Sequence, residues 1–244
     1  MHRSFPESER RAVNPNPCTV VRTNPHPGRG TVLVLGTPRG GTSVVAGICH
    51  MLGIPMGLDI DPSNMEDRRF RTLGARSDRR VAAAEFFNDL HRTTPLAGVK
   101  DPAAIDWLPD VYQDIADPVL VVVSRDVYAV AQREHVSGMD FFPALHGAIR
   151  RKYAVLDLVE KVTAPLIVVS YERLIEDPHD AIASLSQFLC GEVVTELVAH
   201  VASLVKPHAD MPNDVNFVAC RAEFEAGEPG NHVGRLPEPR LQAS

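Results

Sequence analysis

The amino-acid sequence predicts an α/β fold, a three-layer sandwich around a central, mainly parallel sheet. Three observations carry that expectation. Short apolar runs rich in β-branched residues recur along the chain, segments of helical character separate them, and 244 residues suffice for one sizeable core. The runs are "TVLVLG" (31–36), "PVLVVVS" (118–124) and "PLIVVS" (165–170), with "LAGVK" (96–100) as a weaker fourth. Each is continuous rather than alternating, as strands covered on both faces are.

Before the first strand, residues 1–29 are rich in proline, asparagine and arginine and read as a flexible N-terminal leader. They lack the apolar stretch of a signal peptide. A helix is expected from the pair Gly40–Gly41 to about Leu52, ended by Gly53 and Pro55. Further helices are expected at 77–91 and 103–115. Residues 143–162 place Leu145, Ile149, Tyr153, Leu156 and Val159 at spacings of three and four, an amphipathic helix. A last helical region covers about 179–204, after Asp177-Pro178. This gives an α/β domain at 30–205, followed by a covering loop or loose tail at 206–244.

An apolar content of 44% and a charged content of 23% are those of a soluble globular protein. The net charge of −6 argues against nonspecific binding of nucleic acid or anionic membrane. No apolar run reaches the ~18–20 residues that span a bilayer. The four cysteines (Cys18, Cys49, Cys190, Cys220) have no metal-finger spacing and read as reduced structural thiols. A cytoplasmic location is the expectation. Oligomeric state is not legible.

The first strand leads into "GTPRGGTS", where Gly36 and Gly41 have the spacing of the phosphate-binding loop G-x-x-x-x-G-K-[ST]. The next residues are Thr42 and Ser43, so the lysine slot holds a threonine, and the nearest cation is Arg39. A glycine-rich turn between a buried strand and a helix gathers backbone N–H groups and the helix N-terminus around one point, which favours a phosphate. Without the lysine, transfer of a γ-phosphate loses its main charge partner. A ligand with a shorter 5′ chain does not need it, and an arginine in the loop offers planar, bidentate hydrogen bonds.

This loop resembles the P-[KR]-x-G-T-[ST] loop of sulfotransferases of the bacterial type that use 3′-phosphoadenosine-5′-phosphosulfate (PAPS). Three further stretches match that family in order: "VKDP" (99–102), "VVVSRDVYAVAQRE" (121–134) and "VVSYERLIEDP" (168–178). Together the matches cover roughly residues 30–190. The resemblance implies a P-loop NTPase-like fold, PAPS as donor and adenosine 3′,5′-bisphosphate (PAP) as product, with no metal. The acceptor would be a hydroxyl on a small molecule, sugar or lipid.

By the same resemblance, Pro38, Arg39, Gly40, Gly41, Thr42 and Ser43 hold the 5′ end of the donor, and Arg39 stabilises charge on the transferring group. Arg125 takes the 3′-phosphate, or else pairs with Asp126. Arg133 stands where the family has a serine for that phosphate, and Val127 where it often has proline. Tyr171 approaches the adenine or packs in the core. Lys100 contacts the sulfuryl oxygens or pairs with Asp101. Pro102 occupies the place of the histidine base of cytosolic relatives. The base is therefore sought first at Glu66 in "DPSNMEDRRF", which is either that base or a surface partner of Arg68 and Arg69, then at Asp67 and Asp101, with His91 and His135 as remoter candidates. "GEPGNHVGR" (227–235), with Arg235, stands where the family has a loop over the cofactor. "MDFFPALH" (139–146) lines an acceptor pocket or begins a packed helix. Two other readings stay open: a P-loop kinase or NTPase using ATP and Mg²⁺, and a nucleotide-binding module without catalysis. The first predicts a lysine after Gly41 and a metal carboxylate after the third strand, where this chain has Thr42 and Ser124-Arg125-Asp126.

Overall fold

A computed structural model of the chain describes residues 16–205 and 215–226. A five-stranded sheet is built from β1 (Cys18–Arg22), β2 (Gly30–Leu35), β5 (Leu96–Lys100), β6 (Pro118–Ser124) and β7 (Leu166–Ser170). A two-residue hairpin, β3 (Ile60–Asp61) with β4 (Glu66–Asp67), stands apart from it. The sheet order is β1-β7-β6-β2-β5, and only β1 runs antiparallel to its neighbour.

The helices are α1 (Thr42–Met51), α2 (Arg68–Leu73), α3 (Arg79–Leu90), α4 (Leu108–Val111), α5 (Val127–Val136), α6 (Phe141–Lys161), α7 (Tyr171–Glu176), α8 (Pro178–Cys190), α9 (Thr195–Leu204) and α10 (Phe217–Ala226). They lie in two layers because side chains alternate across a strand. Val32 and Val34 of β2 face a core shared with α1, α8 and α9, whereas Leu33 and Leu35 face one shared with α2, α3, α4 and the C-terminal half of α6. β6 and β7 divide in the same way, so both sheet faces are buried. The continuous apolar runs in the sequence follow from this.

The structure departs from the sequence expectations at five places. The stretch expected to be a leader contains β1, whose Cys18 is buried and whose Arg22 donates Nε–H to the Ala164 carbonyl at 2.6 Å. The helix expected at 103–115 breaks into a 3₁₀ turn (104–106), α4 and a second 3₁₀ turn (112–114). Pro109 has no N–H with which to continue a helix begun at residue 104. The region 179–204 divides at Gly191, whose φ of +80° ends α8. In α6 the buried stripe is Ala144, Ala148, Val155, Leu158 and Val159, while Tyr153 and Leu156 are exposed. Counting only bulky residues misses a face whose first half is built on Ala144 and Ala148.

The stretch beyond Lys206, read as irregular, also carries α10. This helix lies across α1 where Gly47 leaves room: a Cβ there would sit 2.1 Å from the Phe217 ring. Arg221 donates to the His50 carbonyl at the end of α1 and pairs with Glu225. His50 itself is largely buried, with its Nδ1 lacking a partner among the described residues. Burial, and then the neighbouring Arg221, push its pKa down to about 4. The four cysteines are free, and burial pushes the Cys18 thiol up to about 12. Among the described residues no helix is long and apolar enough to cross a membrane.

Two stability effects follow from this packing. Gly47→Ala overpacks the α1–α10 contact and should cost about 1–3 kcal/mol in urea unfolding, with Phe217→Ala in the same chain recovering part of the loss. Between pH 6.5 and 4 the unfolded chain protonates His50 while the folded chain does not, so stability falls as pH drops through this window. His50→Gln should flatten that fall, as followed by the melting temperature at each pH.

Candidate active site

The C-terminal ends of the parallel strands open into a cleft of about 690 Å³. Register decides what meets there. Val34 of β2 lies opposite both Lys100 of β5 and Val121 of β6, so Lys100 ends its strand beside the loop that leaves β2.

Within that loop the Gly40 amide donates to the Thr37 carbonyl at 2.9 Å, closing a turn. Arg39 has a φ of +57°, the left-handed region that non-glycine residues seldom adopt. Gly41 caps α1 at φ +87°, and a Cβ there would fall 2.0 Å from the Tyr171 ring. Thr42 and Ser43 form the first turn of α1, where amides have no carbonyl of their own helix to bond. Arg125, directly after β6, holds this loop from outside: it donates to the Arg39 carbonyl at 2.8 Å and stacks 4.6 Å above the Tyr171 ring. Its neighbour Asp126 instead caps α5 through the Ala129 amide. The Arg39 side chain leans toward α5, with Nη2 3.4 Å from Ser137 Oγ and Nε 3.8 Å from Glu134.

Lys100 is 2% exposed. Its ammonium donates to Ser43 Oγ (3.1 Å), the Asn64 carbonyl (3.1 Å) and Glu66 Oε1 (2.8 Å). Burial pushes its pKa below the ordinary lysine value, and the Glu66 carboxylate pulls against that shift. Arg71 approaches the other Glu66 oxygen at 3.4 Å. Glu66 is held by the β3–β4 hairpin, which its neighbour Asp67 fastens. The fully buried Asp67 carboxylate accepts from the amides of Leu58 (2.6 Å), Asp59 (2.7 Å) and Phe70 (2.8 Å). Asp67 is thereby committed to the backbone, which corrects its place among the candidate bases. Asp101, 7% exposed, accepts from the Ala103 amide at 2.9 Å, and burial raises its pKa.

Pro38, Arg39, Gly41, Thr42, Ser43, Glu66, Lys100, Asp101, Arg125, Arg133 and Tyr171 all line this one cleft, with Gly40 inside the loop itself. The remoter histidines lie elsewhere. His91 bonds Thr31 Oγ1 at 2.7 Å, at the start of β2, and His135, on α5, bonds the Met139 carbonyl beyond its end. Phe141 packs against Tyr128, while Phe142 is exposed. The glycine-rich stretch 227–235 lies outside the described residues. Sequence reasoning missed Arg71, Trp107, Val215 and Phe217, which also line the cleft. Trp107 is the chain's sole tryptophan and carried a signal; the other three had none.

The Lys100–Glu66 contact is open to a direct test. Removing one member of a buried ion pair strands the other, so Lys100→Met should cost about 3 kcal/mol in urea unfolding. Lys100→Met combined with Glu66→Gln should cost clearly less than the sum of the two single changes. Additive losses would mean that the two groups are not coupled.

No protein-family model matches the chain, and no curated protein matches it. Solved structures do. The sulfotransferase domain of the Synechococcus PCC 7002 olefin synthase aligns at a TM-score of 0.50 and 14% identity, over 83% of this chain and 97% of that one. The sulfotransferase domain from the curacin biosynthetic pathway aligns at 0.45 and 15% identity, over 88% and 94%. Mouse sulfotransferase SULT7A1, complexed with PAP, aligns at 0.48 and 16% identity, over 76% and 70%. With a mainly parallel sheet flanked by two helical layers and a glycine-rich turn leading from its second strand into α1, the chain has the sulfotransferase fold.

Proposed function

We propose that the chain is a sulfotransferase that moves the sulfuryl group of PAPS to a hydroxyl acceptor. The observation that carries this reading is the buried Lys100 ammonium, shared between the loop hydroxyl of Ser43 and the carboxylate of Glu66. A cation at that point can follow the negative charge of the transferring group, while the carboxylate beside it can take a proton. The lining also fits a polyanionic donor, since Arg39, Lys100, Arg125 and Arg133 all face the same cleft. The loop has no lysine after Gly41 to reach a longer phosphate chain.

In this mechanism the amides and hydroxyls of Thr42 and Ser43 bind the 5′-phosphate. Arg125 and Arg133 take the 3′-phosphate, and Tyr171 lies against the base. Lys100 turns from Glu66 toward the sulfuryl oxygens, which frees the carboxylate. The acceptor oxygen then attacks sulfur in line, and its proton passes to Glu66. The bond from sulfur to the bridging oxygen breaks, and PAP leaves with the electron pair. Arg39 and Lys100 stabilise the charge that builds on that oxygen. Asp101, another carboxylate lining the cleft, is the alternative base. The acceptor is a hydroxyl of a small molecule, sugar or lipid headgroup, and a cytoplasmic enzyme is the expectation. The ammonium beside Ser43 also suits one rival, an ATP site in which Lys100 replaces the loop lysine.

Ligand-dependent melting separates the two. PAP without metal, at ~100 times its dissociation constant, should add about 2.7 kcal/mol, roughly 5–10 °C for a chain of this length. Stabilisation by ATP with Mg²⁺ and none by PAP would overturn the reading. Arg39→Ala should lower turnover far more than PAP affinity, because its proposed contacts strengthen in the transition state. An equal loss in both would make it a binding residue only.

A further inference from the structure

A second cleft, of about 460 Å³, lies at the opposite edge of the sheet, where β6 and β7 begin. Its lining includes Asn24, His26, Arg29, Tyr112, Lys161 and Ala164, none of which takes part in the mechanism above. The two clefts are separated by the length of β6, about 20 Å at ~3.3 Å per residue.

Two polar groups at or just behind this cleft have no partner among the described residues. The Arg22 guanidinium donates through Nε to the Ala164 carbonyl, yet its Nη2 is buried and unbonded. The Tyr112 hydroxyl is also buried and unbonded, on a side chain that is 9% exposed. Tyr112 lines the cleft directly, and Arg22 stands behind its wall, bonded to Ala164, which also lines it. Leaving a buried donor unpaired costs about 1–3 kcal/mol, and more for a charged one. Such groups are rare in folded chains unless a water or an ion completes them.

The missing partner is an acceptor. One donor belongs to a guanidinium, the other is a phenol, and Arg29 and Lys161 stand at the rim with the Asp117 carboxylate beside Arg29. We propose that this cleft is a second binding site, for a small molecule carrying an oxyanion that Arg22 and Tyr112 hold. A guanidinium presents paired donors in the plane that phosphate, sulfate and carboxylate groups accept. Both donor atoms are closed to solvent, so binding includes a local side-chain movement. The rim side chains give way easily: Arg29 pairs with Asp117 at 2.9 Å and Lys161 with Asp157 at 2.6 Å, all at the surface. Exposed pairs of this kind contribute about 0–1 kcal/mol.

The experiment titrates inorganic phosphate, sulfate and acetate separately into nitrogen-15-labelled full chain. Amide shifts of Val162, Thr163 and Ala164 report the second cleft, and those of residues 39–44 report the loop at the first. The proposal expects saturable shifts at Val162–Ala164 with at least one of the three anions, and the pattern distinguishes doubly charged oxyanions from carboxylates. Affinity at that group should weaken by about ten-fold or more in Arg22→Gln and in Tyr112→Phe, the loss of a charge-assisted hydrogen bond. In chloride buffer without oxyanions, Tyr112→Phe should melt with or above the unsubstituted chain, because its hydroxyl has no bond to lose. Shifts confined to residues 39–44, unchanged affinity in Tyr112→Phe, or a lower melting temperature for Tyr112→Phe in chloride would each overturn the proposal. The last result would mean that a buried water already satisfies the hydroxyl.

Discussion

A lysine ammonium placed out of reach of water is costly unless its charge and all its donors are matched, and Lys100 is matched on three sides. Those partners come from two separate parts of the chain: Ser43 at the start of α1, and the β3–β4 hairpin, which supplies the Asn64 carbonyl and the Glu66 carboxylate. The cleft has its form because these pieces must converge on one nitrogen. Asp67 explains how the hairpin can comply. With its carboxylate bound to three amides, the segment from Leu58 to Phe70 closes into a frame that points the preceding residue, Glu66, at the lysine.

The opposite wall is organised by a second cation, Arg125. Stacked on Tyr171 and bonded to the Arg39 carbonyl, it spans the loop and the start of α7. Tyr171 in turn sits so close to Gly41 that no side chain fits there. A residue expected to bind one end of the donor therefore also shapes the loop expected to bind the other. The left-handed backbone of Arg39 is held by this contact together with the lean of its side chain toward α5. Substitutions at Arg125 should accordingly be read at both ends of the cleft.

Much of this was legible in the sequence. Runs such as "PVLVVVS" report burial on both faces, and parallel pairing follows from that burial. The loop was legible because glycine positions there answer to local backbone geometry. What escaped depends on partners distant in sequence. β1 exists because β7 offers an edge, and α10 because Gly47 leaves a notch on α1. The face of α6 was misassigned because alanines carry little hydrophobic signal yet allow close approach. Glu66 and Asp67 are adjacent carboxylates with opposite fates. Only the fold shows that one is spent on backbone amides while the other meets a lysine 34 residues away.

The central claim is that Lys100 and Glu66 serve sulfuryl transfer at this loop. Its most direct measurement is the movement of radiosulfur from labelled PAPS to a panel of phenols, sugars, sterols and lipid headgroups, with a metal chelator present. The account predicts label on at least one acceptor class, with turnover reduced by about 10²–10⁴ in Glu66→Gln while PAP still binds. PAP binding with no label on any acceptor, or full turnover in Glu66→Gln and Lys100→Met, would contradict it.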